Sequence, residues 1–216
     1  MDAFNAWLRY LFDRPPEDLG RDPWYWRVDE PPSEWMSRYA QHDDPVATAE
    51  RIRRLFGDAG NLLRPYSDEQ VGHGLKMIVD SNLDGQIRAL TDRTVPVTLR
   101  TAGLRSIVTL FAQVFAARLQ GDGSQSRSTL ESICFMFWDT APIVELGEDT
   151  VLDVLEDTLA LSSVPCQRAA LHGLGHAHMS APKQVQVIVD RWLQKHPHAP
   201  QDLREYAMQA RAGMVN

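Results

Sequence analysis

The sequence lacks most of the features that mark a specialised class. Only two cysteines occur in 216 residues, Cys134 and Cys166, and they lie far apart in the chain. That density excludes a disulfide framework, and each thiol falls in an apolar helical pattern where a buried free cysteine is expected. No stretch approaches the roughly 18 uninterrupted apolar residues of a membrane span. The opening residues, Met1-Asp2-Ala3-Phe4-Asn5-Ala6-Trp7, carry neither the basic start nor the apolar run of a secretion signal. A cytoplasmic protein without membrane association is therefore expected. Basic excess is missing too: the formal net charge of -7 weighs against nucleic-acid binding. The period-two alternation of β-strands is sustained nowhere, so no sheet is expected.

What is present reads as helix. An apolar fraction of 44% with 24% charged residues is that of a globular chain with one extended core. The expected organisation is a single all-α domain over residues 1–216, built of stacked antiparallel helical hairpins or an irregular α-α bundle. Residues 1–43 supply an N-terminal helix and an arm, and residues 44–213 an array of hairpins. Phe4, Trp7, Leu8, Leu11 and Phe12 share one helical face. Pro15-Pro16, Pro23 and Pro31-Pro32 then preclude long regular structure. Four of the six tryptophans, Trp7, Trp24, Trp26 and Trp35, fall in the first 35 residues, too many for a free linker. The arm is expected to be pinned to a protein surface, either this chain's own or another's.

Caps and prolines punctuate the rest. Asp44-Pro45 reads as an N-cap followed by a first-turn proline. Ser67-x-x-Gln70 reads as a capping box, and Ser128-x-x-Glu131 caps a helix. Val95 to Leu119 is one long helix or two, with Gly103 as the possible break, and Gly121-Asp122-Gly123-Ser124 is a loop. The segment from Ser128 to Thr140 is apolar almost all round and so is expected to be buried, ending at Pro142. Further helices are predicted over Thr150 to Leu161, Val164 to Met179, Pro182 to Lys195 and Pro200 to Gly213.

Pro165 and Pro200 open helices 35 positions apart, and the helices at Ser128 and Val164 start 36 apart, the spacing of one helical hairpin per repeat. Pro165-Cys166-Gln167-Arg168-Ala169-Ala170-Leu171-His172-Gly173-Leu174-Gly175-His176 resembles the second helix of a HEAT-like repeat, with its proline opening, arginine and small-residue stripe. This resemblance covers Ser128 to Gly213. Cys134 to Pro142 and Ala170 to His176 are also similar to blocks from an uncharacterised bacterial protein family. What the HEAT-like resemblance implies is protein binding rather than chemistry.

Chemistry-bearing residues are few. His172 and His176, at i and i+4, share one helix flank and can face one metal ion. Gly173 stands where a His-Glu-x-x-His zinc protease carries its glutamate, and Arg168 on the same stripe would repel a cation. Hydrogen bonding to a neighbouring helix therefore competes with ligation, and no metal or other cofactor is predicted. Asp139, beside Trp138 at the end of an apolar helix, is either a desolvated acid or a partner of Arg168. Stacked hairpins would bring Trp138, Asp139, Arg168, His172 and His176 together as a candidate binding cluster, with no catalytic residue assigned.

Other matches fail. His42-Asp43-Asp44 is similar to the His-Asp phosphohydrolase motif, yet no histidine precedes His42. Gly72-His73-Gly74 lies in a helix rather than a phosphate loop, where close helix packing explains the glycines. HEAT-like DNA glycosylases need a basic concave face, which an acidic chain does not favour. The expected function is that of a non-enzymatic scaffold or adaptor for a protein partner. The alternative is a metal- or anion-binding enzyme centred on Asp139, Arg168, His172 and His176.

Overall fold

Short polar caps set where the helices start. In the computed structural model, which describes residues 2–14, 23–26, 33–40, 44–119, 128–141, 143–144 and 149–215, Asp2 accepts from the Asn5 N–H at 2.8 Å and opens α1 (Ala3–Phe12). Ser33 caps the short α2 (Glu34–Arg38). Asp44 accepts from the Ala47 N–H at 2.8 Å ahead of Pro45, the first residue of α3 (Pro45–Gly57), and a single turn, α4 (Ala59–Leu62), follows. Ser67 and Gln70 form a reciprocal capping box on α5 (Asp68–Val79), each side chain accepting from the other's backbone N–H. Each such cap satisfies amides that would otherwise be orphaned and stabilises its helix by about 1 kcal/mol.

Gly103 does not break the next helix. The chain runs unbroken through α6 (Val97–Leu110), a π-helical turn at Phe111–Phe115 and α7 (Ala116–Arg118). The missing side chain at Gly103 makes room for Leu90, whose Cδ2 would lie 2.4 Å from a Cβ there. The last third holds α8 (Thr129–Thr140), α9 (Asp149–Leu159), α10 (Val164–Ala177), α11 (Pro182–Lys195) and α12 (Gln201–Arg211). These lie within about two residues of the predicted bounds, the margin at which helix ends fray. Among the described residues there is no strand, and no described helix is long and apolar enough to cross a membrane.

The helices alternate between two layers as the chain proceeds. One layer runs α1, α5, α8, α10, α12, each packed on the next; the other runs α3, α6, α9, α11 in the same manner. Cross-layer packing of α9 on α10 and of α11 on α12 closes the space between them. The fold is thus all-α and made of stacked hairpins, and the alternation reaches back before residue 121 to α1. Small residues set the closeness of the first layer. A Cβ at Gly72 would fall 2.7 Å from the Leu130 backbone nitrogen, and one at Gly74 would fall 2.3 Å from the Phe12 ring. Gly72 therefore admits α8 on one side of α5, and Gly74 admits α1 on the other.

The core lies between the layers, and aromatic rings form much of it. Phe111, at the π-turn, stacks on Trp138 at 5.7 Å and meets Phe137 edge-on at 5.3 Å. The turn directs the Phe111 carbonyl to the Ala116 N–H, and the buried Cys166 thiol donates to the same oxygen at 3.8 Å. Both cysteines are buried and free, and they contact each other across α8 and α10; burial pushes the Cys134 thiol well above its ordinary range.

The described part of the arm packs on its own chain. Trp24 is buried, with its ring edge-on to Tyr10 at 5.3 Å and the Arg14 guanidinium 4.2 Å from its centre. Tyr25 hydrogen-bonds His73 Nδ1 at 3.1 Å, whereas Trp26 remains 57% exposed. Trp35 is buried beneath Arg51, at 4.6 Å. The readings made for Pro15-Pro16, Pro31-Pro32, His42-Asp43, Gly121 to Ser124 and Pro142 fall outside the described residues.

Candidate functional site

Because α8, α10 and α12 are successive members of one layer, side chains about one repeat apart come into contact on its face. His172 and His176 project from the same flank of α10, with ring centres 4.7 Å apart and Nε2 atoms 3.2 Å apart. Asp139, in the last turn of α8, places Oδ1 3.3 Å from His176 Nε2. Tyr206 of α12 holds His172 Nδ1 through its hydroxyl at 2.6 Å. Phe135, one turn before Asp139, packs its ring 4.5 Å from that of His172. One ligand atom from each of Asp139, His172 and His176 lies within 4.8 Å of the other two.

Exposure grades across the cluster. His172 is 2% exposed and forms its floor, while the side chains of His176 and Asp139 are 35% and 38% exposed. The cluster is therefore anchored in the layer and open to water on one side. A neutral imidazole carries one N–H. The tautomers of the two rings therefore decide which Nε2 donates across their 3.2 Å contact, and Asp139 Oδ1 stands as an acceptor 3.3 Å from His176 Nε2.

Two expectations need correction. Arg168 does not pair with Asp139: it forms an ion pair with Asp202 of α12 and lies 5.5 Å from the centre of the Tyr206 ring. Its charge is thus met by a carboxylate one repeat further on, next to the histidines rather than among them. Trp138 does not face the cluster either. It is 1% exposed, stacked on Phe111 and pressed against Gly173, because the α8 surface bearing Trp138 turns toward the other layer.

Tyr206 and Phe135 escaped the sequence reading. Repeat spacing is the signal for Tyr206, 34 positions after His172, as Asp202 is after Arg168; Phe135, 37 positions before His172, has no such signal.

A second polar chain joins α5 to α8. Glu69 accepts from Thr129 Oγ1 at 2.7 Å and meets His73 Nε2 at 3.0 Å, and Tyr25 completes the line at His73 Nδ1. It borders a cavity of about 410 Å³ that Lys76, Asp80, Ser132 and Thr140 also line. Thr129 ties α8 to α5 and Tyr25 ties the arm to α5, with Glu69 and His73 one turn apart on α5 as the link between them.

A broader groove lies where α2 meets the start of α3 and the 3₁₀ turn at Gln86–Leu90, with a volume of about 480 Å³. Trp35, Met36, Pro45 and Ala89 give it apolar walls, and Asp44, Asp84 and Asp92 stand around it. Met36 and the adjacent Val46 are exposed.

No family model matches the chain, and no solved structure gives a significant match. Among curated proteins, the Mediator of RNA polymerase II transcription subunit 24 of Drosophila melanogaster is 28% identical over 120 residues. That similarity covers 55% of this chain, and the chain spans only 11% of that protein's length.

Proposed function

We propose that this chain is a non-enzymatic binding module of the HEAT-like helical-repeat kind, which holds a protein partner at the groove between α2, α3 and the Gln86–Leu90 turn. The observation that carries this reading is the two-layer alternation of helices. Such a stack spends its core on neighbour-to-neighbour packing and offers long outer surfaces for contact. The groove supplies an anchor point: apolar side chains, exposed Met36 among them, mixed with Thr48, Gln86 and Arg88, and three aspartates that outnumber the single arginine. Its chemistry suits an apolar side chain flanked by lysine or arginine, since interface cores favour large apolar anchors and a charged rim steers association. The similar Drosophila protein is by its printed name a subunit of a larger assembly, which supports a role in association rather than turnover.

The test compares capture of partners from native cells by the wild-type chain and by a Met36→Glu/Val46→Glu variant. Both substitutions are at exposed positions, so the helical signal should be unchanged. A partner held by wild type at physiological salt and depleted at least tenfold by the variant supports the reading. No stable partner, or equal capture by both chains, overturns it.

A further inference from the structure

The geometry points to a divalent transition-metal site formed by His172 Nε2, His176 Nε2 and Asp139 Oδ1, tying α8 to α10 and leaving one position open to water. It does not depend on the partner-binding groove, which lies on other helices.

The donor set fits in four respects. The first is spacing. A tetrahedral ion with bonds of about 2.0–2.1 Å has neighbouring ligand atoms about 3.3 Å apart. Two of the three ligand-to-ligand distances match this, 3.2 Å between the imidazole nitrogens and 3.3 Å from His176 to Asp139; the third pair, within 4.8 Å, closes by a turn of the partly exposed Asp139 carboxylate on binding.

The second is orientation. Metal-bound histidines donate their other ring N–H to a hydrogen-bond acceptor, which fixes the tautomer and raises ligand basicity. Tyr206 Oη at His172 Nδ1 can take that part, leaving Nε2 unprotonated and aimed at its neighbours. Packing of Phe135 on the same ring holds its plane.

Charge is the third. The sequence reading counted Arg168 against a cation, but its guanidinium is engaged by Asp202. Asp139 then adds an anionic oxygen ligand beside the two imidazoles, 3.3 Å from His176 Nε2. The last is convergence: two imidazole nitrogens and one carboxylate oxygen face a common point, and a single ion can be bound by all three at once.

Two imidazoles and a carboxylate favour a first-row divalent ion such as Zn²⁺ over Mg²⁺ or Ca²⁺, which prefer oxygen ligands. Three protein ligands with an open fourth position is the pattern of an accessible rather than a closed structural site. The partial exposure of His176 and Asp139 provides the path of entry.

The experiment strips the full-length chain with a chelator and titrates it with Zn²⁺ against a chromophoric competitor. Mg²⁺ titration and Co²⁺ absorption spectra run in parallel. His176→Ala and Asp139→Asn carry the test, because both side chains are partly exposed and the chain should fold without them. His172→Ala is set aside because that ring is buried. The expected result is one equivalent of Zn²⁺ and a tetrahedral Co²⁺ spectrum in wild type. Affinity falls roughly 100-fold or more in His176→Ala and Asp139→Asn, and about 10–100-fold in Tyr206→Phe, the range for loss of an outer-shell partner. His198→Ala, at an exposed position outside the cluster, should leave affinity unchanged. No stoichiometric Zn²⁺ in wild type overturns the assignment. So does Zn²⁺ affinity indifferent to His176→Ala and Asp139→Asn, since such binding lies elsewhere on the surface.

Discussion

Replacing Gly173 with alanine should destabilise the fold, although alanine is the better helix former. A Cβ at this position would lie 2.7 Å from Trp138 Cγ, 2.8 Å from Trp138 Cβ and 2.7 Å from Leu155 Cδ2. The leucine methyl can turn away. The tryptophan cannot, because its Cβ is tied to the α8 backbone and its ring is stacked on Phe111 at 5.7 Å. Overpacking of this kind costs about 1–3 kcal/mol, and the rigid neighbour puts Gly173 at the upper end. Against that stands a helix-propensity gain of about 0.8–1 kcal/mol. The net is about 2 kcal/mol of destabilisation, a fall in Tm of about 4–8 °C for a chain of this size. Gly57→Ala is the matched control, since nothing lies within 4 Å of its would-be Cβ at the end of α3. That change should raise stability by less than the roughly 0.5–1 kcal/mol of a helix-interior glycine, because Gly57 is the last residue of α3. Urea and thermal unfolding followed by far-UV circular dichroism measure both. A Gly173→Ala protein as stable as wild type, or more so, would refute the close approach of α8 and α10 on which the layered description depends.

Other consequences are equally open to measurement. Gly72→Ala should destabilise by about 1–3 kcal/mol, because its new methyl meets the α8 backbone at Leu130 rather than a movable side chain. Ser67→Ala should lower stability by about 1 kcal/mol through loss of the capping box on α5, as read from denaturation midpoints. Tyr25→Phe removes the hydroxyl bound to His73 and should cost about 1 kcal/mol. It should also speed protease cleavage in the arm, and an unchanged cleavage rate would argue against Tyr25 as its clasp. Cys134 and Cys166 should resist aqueous thiol reagents in the native state, reacting only as fast as the core opens. Rapid labelling without unfolding would contradict their burial.

The helices were legible because their signals are local. Asp44-Pro45, Ser67-x-x-Gln70 and Pro182 mark starts by hydrogen bonding and fixed φ within a few residues, and the structure begins helices at those places. Gly103 left one helix or two open because a glycine between packed helices looks in sequence like one that interrupts a helix; only Leu90, brought in by the fold, tells them apart. The candidate site was half legible. His172 and His176 share a flank by helix geometry alone. The joining of Asp139 to His176 and of Arg168 to Asp202 depends on how far each helix slides along its neighbour. A repeat spacing known only to a residue or so does not fix that slide. Trp138 was misplaced for a related reason: in a helix apolar almost all round, composition does not say which side meets the opposite layer.

We propose that the partner of this helical stack sits in the groove at α2 and α3. Hydrogen exchange of the chain alone and in complex with its captured partner tests it most directly. Binding should slow exchange across Glu34–Arg38, the first turns of Pro45–Gly57 and the Gln86–Leu90 turn, leaving α8 to α12 unchanged. Protection confined to α8 through α12, or no protection on any helix, would contradict the account.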